Sequence, residues 1–256
     1  MSMVSNSNCM NDEGLIRTFL IIAHCRLARM PVQYIISQWE FRDLCLKMKI
    51  PVFIPRPETE ELCELIMQQI NKDDAKLKIL EIGCGTGAIS LSLLSTLPAV
   101  ENIIAIDQSK TACELTVDNA TNLKLNDRLR VFKHRIIDDN LPVEIEALSP
   151  KFNLIVSNPP YVPTKDLLKM QPEIYLFEDI RALDGGPDGL KFIEILLKLA
   201  AKYLEKSGVL WMEVDSRHPE LIQKMIENNH DKWGLKFISS YKDIFQKERF
   251  VEIMKE

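Results

Sequence analysis

The sequence predicts an α/β fold: a seven-stranded, mostly parallel sheet that ends in an antiparallel hairpin, preceded by a short helix and a β-hairpin. Three observations support this fold class. Apolar strand segments alternate with helical segments from Leu77 onward, a glycine-rich turn follows the first of these strands, and two β-rich segments, 235–240 and 249–254, close the chain. Ligands of such sheets bind at the carboxyl ends of the strands, and we expect the functional site there.

The segments before this sheet are predicted to be a helix, a hairpin and a second helix. Residues 14–30 carry apolar side chains on one helical face, and Pro31 ends the helix. The segment 32–50 is rich in β-branched and aromatic residues, which favours a β-hairpin. Pro57 suits the first turn of a helix that we expect to run to about Asn71. The polar residues that open the chain are interpreted as a disordered leader.

The sheet and its helices are predicted segment by segment from the apolar runs between turn signals. The predicted strands are 77–82, 102–107, 129–134, 153–157, 209–214, 235–240 and 249–254, and the predicted helices are 88–97, 110–122, 188–206 and 217–229. The predicted domains are residues 1–75, a truncated N-terminal helix with a hairpin linker, and residues 76–256, which carry the site.

The composition excludes several classes of function. The chain has 256 residues and a formal net charge of −5, which is the wrong sign for a protein that grips duplex phosphates, so direct nucleic-acid binding is not expected. The six cysteines contain no C-x-x-C pair and the four histidines form no ligand spacing, so no metal site is expected. No apolar run is long enough to cross a membrane.

A glycine-rich turn and two acids resemble the S-adenosylmethionine (SAM) site of class I methyltransferases. Gly83, Gly85 and Gly87 lie between a strand and a helix with the spacing G-x-G-x-G, which differs from the dinucleotide G-x-G-x-x-G. Asp107 ends the next strand, where an acid can accept hydrogen bonds from both ribose hydroxyls. Glu81 precedes the turn, where it suits the cationic methionine end of SAM. The two acids favour a class I methyltransferase site over a glycine turn in another Rossmann-like protein.

The fourth predicted strand ends in Asn158, Pro159, Pro160 and Tyr161. Proline fixes φ and has no N–H, so the backbone carbonyls of this turn have little freedom. The Asn158 side chain adds another carbonyl acceptor, and two acceptors at one point suit an –NH2 group with two protons to donate. Tyr161 offers a ring face to a flat substrate. These residues fit methylation of a glutamine carboxamide or of an adenine exocyclic amine, and a plain strand-ending turn is the structural alternative.

The chain resembles the HemK/PrmC family of peptide-chain-release-factor glutamine methyltransferases from Arg29 onward. The matching segments are "RMPVQYI", "FIPRPETEEL", "ILEIGCGTGAISLSLL", "LIVSNPPYVP", "ALDGGPDGL" and "ERFVEI". The resemblance implies SAM as cofactor and methylation of the glutamine in the Gly-Gly-Gln motif of a class 1 release factor, which would be the protein partner.

The resemblance also implies roles for individual residues. It implies catalytic roles for Asn158, Pro159 and Tyr161. It implies substrate binding by Arg56, Pro57, Glu58, Asn158, Pro159, Pro160 and Tyr161. It implies cofactor binding by Thr59, Glu81, Gly83, Cys84, Gly85, Gly87, Asp107 and Asn158, with Ile136 or Ile137 as an apolar cover for adenine.

Two segments depart from the family pattern. Ser37-Gln38-Trp39 follows "QYI", and Phe177-Glu178-Asp179 stands where the family often has Tyr-Glu-Pro. Neither segment is expected to touch the methyl-transfer centre. The family carries an N-terminal helical bundle, whereas only about 30 residues precede "RMPVQYI" here. The alternatives are a truncated isoform, an incomplete gene model and a reduced form of the bundle.

Three other functions stay open at this stage. They are methylation of a ribosomal-protein glutamine, N6-adenine methylation of nucleic acid, and SAM binding without catalysis. A monomer is expected. The resemblance places the family in bacterial or organellar translation, which favours a mitochondrial location, with the cytoplasm as the alternative.

Overall fold

The computed structural model describes residues 12–70, 76–148 and 151–256 and confirms the predicted fold class. Seven strands form one sheet in the order β5-β4-β3-β6-β7-β9-β8, and β1 and β2 form a separate antiparallel hairpin. The strands are β1 (Gln38–Phe41), β2 (Leu44–Lys47), β3 (Leu77–Ile82), β4 (Val100–Asp107), β5 (Leu129–Lys133), β6 (Phe152–Ser157), β7 (Leu204–Glu213), β8 (Leu235–Lys242) and β9 (Glu248–Lys255).

Helices cover the sheet on both faces. The helices of the described residues are α1 (Asp12–Leu27), α2 (Val32–Ile36), α3 (Pro57–Gln69), α4 (Ala88–Thr96), α5 (Lys110–Asn122), α6 (Val143–Glu146), α7 (Pro172–Tyr175), α8 (Lys191–Tyr203), α9 (Pro219–Asn228) and α10 (His230–Trp233), with 3-10 turns at Asn126–Arg128, Thr164–Lys169 and Ile180–Ala182. Of the leader predicted over residues 1–13, residues 1–11 lie outside the described residues, and the last two residues already belong to α1. The division into residues 1–75 and 76–256 stays a prediction.

The strand order creates a crevice at the centre of the sheet. The parallel strands β3, β4 and β5 extend to one side, and the chain then crosses over to β6 and β7 on the other side. The carboxyl ends of β3 and β6 therefore flank the point where the strand order reverses, which is where ligands of open α/β sheets bind. The terminal hairpin of β8 and β9 joins β7 in antiparallel pairing, as predicted.

The core lies on both faces of the sheet. Leu80 on β3 packs into a cluster that includes side chains of α8 and α9, whereas Ile79, one residue earlier, packs into a second cluster with α3 and α4. Successive strand residues point to opposite faces, so a strand covered on both faces needs a continuous apolar run. This explains why successive residues are apolar at Ile79 and Leu80 on β3 and at 154–156 on β6, and it fixes the ends of both strands beside the site.

The predicted hairpin over residues 32–50 is too long at its start. Val32–Ile36 forms helix α2, because Pro31 supplies the extended residue before it and Ser37, with a left-handed φ of 57°, ends it. Tyr34 is buried, and its hydroxyl donates to the carbonyl of Val52 at 2.7 Å. The alternating pattern typical of strands therefore applies only to β1 and β2, which form the hairpin.

The predicted helix 188–206 also extends too far. Helix α8 ends at Tyr203, and Leu204 already pairs with Phe152 in the sheet. A bulge follows, with Ser207 at a positive φ of 64°, so β7 begins before Gly208 rather than after it. Among the helices of the described residues, none is long and apolar enough to span a membrane.

Candidate functional site

A cavity of about 270 Å³ lies at the carboxyl ends of β3, β4 and β6. It is the position that the strand order predicts for a ligand. Predicted cofactor-binding residues and predicted substrate-binding residues both line it. The predicted site residues in its wall are Arg56, Thr59, Glu81, Gly83, Cys84, Gly85, Asp107, Ile136, Asn158, Pro159, Pro160 and Tyr161.

The glycine-rich turn forms the floor of this cavity. The backbone N–H groups of Gly83 and Cys84 donate to the carbonyl of Ile106 at 2.7 and 3.2 Å, which ties the turn to β4. Gly85 has a φ of +56°, and a Cβ placed on it would meet no atom within 4 Å, so its backbone borders open space. Glycine at this position lets a ligand approach the main chain.

Gly87 has a structural position instead. It precedes helix α4 with a φ of +83°, and a Cβ there would lie 2.9 Å from the Thr116 methyl group and 3.0 Å from a Leu91 methyl group. It does not line the cavity. The third glycine of the turn thus permits the left-handed backbone and the close packing of α4 on α5, and the first two face the ligand space.

Two backbone N–H groups at the cavity floor fix the carboxylate of Asp107. One carboxylate oxygen accepts from the N–H of Gly85 at 3.0 Å, and the other accepts from the N–H of Ser109 at 2.8 Å. Burial raises the pKa of Asp107, and the two backbone hydrogen bonds lower it. Each carboxylate oxygen has a second lone pair, so Asp107 can still accept a pair of ligand hydroxyls.

Glu81 is a second, deeper acid, with a side chain 1% exposed. Its carboxylate accepts from the backbone N–H of Ser90 at 3.1 Å and from the Ser90 hydroxyl. Burial raises the pKa of Glu81 to about 8. A buried carboxyl with no cationic partner gains stabilisation when a cation arrives, so Glu81 suits the positively charged end of a ligand.

The cavity wall near Glu81 and Asp107 also fits SAM. The hydroxyl of Thr86 is buried beside the cavity and has no hydrogen-bond partner within the described residues, which leaves it available to a polar ligand group. Ile136 is buried and lines the cavity, whereas Ile137 is 68% exposed and lies outside it. Of the two isoleucines predicted to cover adenine, the structure brings only Ile136 to the site.

The opposite half of the cavity is a chain of side-chain hydrogen bonds around Asn158. The Asn158 amide nitrogen donates to the Thr59 hydroxyl oxygen at 3.1 Å, and that hydroxyl donates to Glu213 at 2.7 Å. The Tyr161 hydroxyl donates to the other oxygen of Glu213 at 3.0 Å. With its nitrogen paired in this way, Asn158 has its carbonyl oxygen left for a ligand.

The Asn-Pro-Pro-Tyr turn is supported by the glycine segment that precedes α8. The N–H of Val162 donates to the carbonyl of Leu183, and the N–H of Gly185 donates back to the carbonyl of Val162. A Cβ on Gly185 would lie 2.8 Å from the carbonyl oxygen of Pro160. Only glycine allows this approach, so "ALDGGPDGL" acts as a backing layer for the turn.

Comparisons with known proteins agree with this geometry. The family model "Methyltransferase small domain" matches residues 57–174. The human protein "MTRF1L release factor glutamine methyltransferase" is 42% identical over 234 residues, which cover 89% of this chain and 68% of the human protein. The "Release factor glutamine methyltransferase" of Lactococcus lactis is 35% identical and is covered over 77% of its length.

The chain belongs to the release factor glutamine methyltransferase family. It is therefore a SAM-dependent methyltransferase. Solved structures show the same fold at low identity. The "Human methyltransferase 10 domain containing protein" superposes with a TM-score of 0.57 at 14% identity, over 82% of this chain and 89% of that one. The "Methyltransferase from Pyrococcus furiosus" gives 0.56 at 16% identity, over 93% and 97%.

The segment Phe177–Asp179 reaches the wall of the cavity. Glu178 is buried and forms an ion pair with Arg56 at 2.6 Å, and it also accepts from the N–H of Ile54. Asp179 lines the cavity and pairs with Arg181, which lines it too. The departure from the family pattern therefore lies next to the ligand space, because the loop between β6 and α8 folds back over the "FIPRP" segment.

Two predicted substrate residues lie outside the cavity wall. Pro57 is exposed and Glu58 is half-buried at the start of α3, whereas their neighbours Arg56 and Thr59 line the cavity. Arg56 also stacks on the Phe53 ring at 4.7 Å. The first turn of the helix thus presents one face to the site and the other to the surface.

Sequence reasoning missed Glu213, Asp179 and Arg181. A signal for Glu213 existed, since it is an acid at the end of an otherwise apolar strand beside the one that carries Asn158. Asp179 and Arg181 lie in a loop without regular pattern, and nothing in the sequence indicated their position. Across the three described ranges, no group of three or more histidine, cysteine or acidic side chains could hold a metal ion.

Proposed function

We propose that this methyltransferase transfers the methyl group of SAM to the side-chain amide nitrogen (N5) of the glutamine in the Gly-Gly-Gln motif of a class 1 release factor. The observation that carries the proposal is the orientation of Asn158. Its amide nitrogen is occupied by Thr59, so its carbonyl oxygen is the group available beside Pro159 in the cavity wall. The names of the similar human and Lactococcus proteins support the same substrate.

The acceptor pair suits a carboxamide. The Asn158 side-chain carbonyl and the Pro159 backbone carbonyl accept the two protons of the substrate –NH2, which fixes the plane of the amide and aims its nitrogen at the methyl group. Two prolines restrict the backbone of this turn, so the acceptors are positioned before the substrate arrives. Orientation of this kind can contribute several kcal/mol, with an upper range of about 7–11 kcal/mol.

The other residues bind and orient. Bound SAM supplies an electrophilic methyl group on a sulfonium. Asp107 accepts hydrogen bonds from the ribose, Glu81 faces the positively charged end, and Ile136 covers the adenine. Tyr161 places its ring beside the amide plane. No general base is needed before attack, because the positive charge passes with the methyl group to the amide, which then loses one proton to solvent.

The experiment compares acceptors directly. The enzyme is incubated with labelled SAM and, in parallel, with a class 1 release factor, the same factor with Gly-Gly-Gln changed to Gly-Gly-Ala, a ribosomal-protein extract and adenine-containing DNA. We expect label in the unaltered release factor alone. Label that persists in the Gly-Gly-Ala factor, or that enters ribosomal protein or DNA instead, contradicts the proposal.

We also propose that the enzyme acts as a monomer in mitochondria. The higher identity to the human protein than to the Lactococcus protein, 42% against 35%, supports a eukaryotic organellar setting. Fractionation of source cells with an antibody to the chain tests the location. Enzyme in the mitochondrial matrix fraction is the expected result, and enzyme confined to the cytosol contradicts it.

A further inference from the structure

The feature behind this inference is a buried acid at the end of β7. Strands β6 and β7 are parallel neighbours, with Ser157 opposite Met212, so the residues that follow, Asn158 and Glu213, meet at the same edge. Glu213 is 1% exposed. Glu213 has no direct hydrogen bond to Asn158 among the described contacts. The Thr59 hydroxyl lies between the two side chains and bonds to both.

The direction of these hydrogen bonds follows from what each group can donate. An ionised carboxylate only accepts, so the hydroxyls of Thr59 and Tyr161 must both donate to Glu213. The Thr59 oxygen, having given its only proton, can then only accept. It therefore selects the –NH2 end of the Asn158 amide and leaves the carbonyl end for the cavity.

We propose that Glu213 is a positioning residue that acts through Thr59 to set which end of the Asn158 amide faces the substrate. The inference rests on the proposed function, in which Asn158 accepts a proton from a substrate –NH2. With the amide turned round, Asn158 presents its own –NH2 to the substrate –NH2, and two donors then face each other. Reversal of this hydrogen-bond chain therefore removes the carbonyl acceptor from the cavity while Asn158 itself remains.

Both oxygens of Glu213 accept from hydroxyls, which is the pattern of an ionised carboxylate. Burial is the largest influence on the pKa of Glu213 and raises it, as does the charge of Glu58 at the start of α3. The hydrogen bonds from Thr59 and Tyr161 and the positive charge of Arg249 on β9 lower the pKa and favour the ionised form. A neutral Glu213 carries a proton that it can donate to Thr59, and Thr59 can then donate to the Asn158 carbonyl. The ionised state is what makes the direction of the chain unique.

The matched substitution is Glu213→Gln, which keeps size and shape but adds an –NH2 donor. We expect kcat for release-factor methylation to fall about 10- to 100-fold, with the Kd for SAM changed by less than about threefold. Glu252→Gln is the control, because Glu252 is also buried and accepts from a tyrosine, Tyr241, and from Gln69, away from the cavity. It should retain kcat within about threefold.

Thr59 provides a second pair of variants. Thr59→Val removes the relay hydroxyl at equal volume, and Thr59→Ser keeps it. If the hydroxyl relays the orientation, Thr59→Ser should retain at least about ten times the kcat of Thr59→Val. Equal kcat values for the two variants would mean that Thr59 only fills space, and would overturn the proposal.

A measurement without substrate separates this inference from the proposed function. In the parent and in Glu252→Gln, the side-chain amide protons of Asn158 should show nuclear Overhauser contacts to the Thr59 side chain. In Glu213→Gln these contacts should weaken or vanish while the fold and SAM binding persist. Unchanged contacts in Glu213→Gln overturn the inference even if release-factor methylation is demonstrated. If the parent methylates no release factor, the proposed function fails and the contacts still decide the orientation.

Discussion

The two halves of the cavity are built in different ways. The cofactor half consists of backbone turns and acids from one βαβ unit, in which Asp107 accepts from Ser109, 2 positions away, and from Gly85, 22 positions away. The acceptor half is a relay of side chains from distant segments, and the bond from Thr59 to Glu213 spans 154 positions. The first half is rigid through local backbone geometry, and the second depends on the packing of α3 against β7.

This difference separates the functions of the two halves. On the proposed function, groups held by the glycine turn would contact SAM and should control its affinity. Groups in the relay would orient the methyl acceptor and should control turnover. Substitutions in each half can therefore test whether binding and catalysis are as independent as the structure indicates.

The largest expected effect is on turnover. Asn158→Ala removes a preorganised acceptor at the reacting nitrogen, and we expect kcat to fall about 10²- to 10³-fold. Stopped assays at saturating SAM measure it. Asn153→Ala is the matched control, since Asn153 lies on the same strand at the opposite edge, where it accepts from Lys78 and donates to Glu205. A parallel loss of SAM affinity in Asn158→Ala would show that the halves are not separate.

Asp107→Asn should give the reverse pattern. The amide keeps the shape but replaces one of two acceptor oxygens by a donor, so it cannot satisfy both Gly85 and Ser109 and also bind a ribose. We expect the Kd for SAM, measured by calorimetry, to rise about 10- to 100-fold, because hydrogen bonds to charged groups are strong. At saturating SAM, kcat should recover. A low kcat that more SAM does not restore would contradict the separation.

Glu81 should link SAM binding to proton release. Its raised pKa, about 8, means that the carboxyl is mainly protonated at neutral pH, and a cationic ligand favours the ionised form. Binding at pH 7 should therefore release up to about one proton more in the parent than in Glu81→Gln. Calorimetry in buffers of different ionisation enthalpy measures the difference. Equal proton release by both proteins would show that Glu81 does not face the cation.

The same pKa shift has a consequence for the stability of the free enzyme. The folded-state pKa of Glu81 lies above its ordinary value, so its contribution to stability is fully present below the unfolded pKa. That contribution is lost as the pH rises toward about 8. Saturating SAM should reduce this loss, because the ionised carboxyl then has a cationic partner.

The smallest effect concerns the adenine cover. Ile136→Val removes one methyl group from the cavity wall and should destabilise the fold by about 0.5–1.5 kcal/mol while weakening SAM binding slightly. Ile137→Val, on an exposed side chain, should stay within about 0.5 kcal/mol and leave SAM affinity unchanged. Thermal unfolding with and without SAM measures both. Equal shifts for the two variants would contradict the placement of Ile136 at the ligand.

The contrast between the halves also explains what could be predicted. The parallel strands, the glycine turn and the acid at the end of β4 are local patterns with a physical cause, and the predicted bounds of β3 and α5 match those of the structure. Helix α2 was missed because a short apolar segment fits either period, and tertiary packing of Tyr34 decides it. Gly87 was assigned to the ligand, although its neighbours Thr116 and Leu91 explain it.

The acceptor half could not be predicted from the sequence, for a different reason. The residues of the relay were identified singly, as in the case of Asn158, or not at all, as in the case of Glu213. Their partnership depends on which strands become neighbours and on the register of β6 with β7. A sequence pattern indicates the type of an element and the face it buries, but not which side chains meet across 154 positions.

The central claim is that the carbonyl of Asn158 selects an amide nitrogen as the methyl acceptor. Acid hydrolysis of the labelled release factor tests it most directly, because a methyl group on the amide nitrogen of glutamine is released as methylamine. Tandem mass spectrometry of peptides from the labelled release factor, taken before acid hydrolysis, assigns the methylated residue. We predict labelled methylamine from the Gly-Gly-Gln peptide of the parent reaction and, over the same time, about 10²- to 10³-fold less from Asn158→Ala. Label that stays on an amino acid after hydrolysis, or that derives from another residue, would contradict the account.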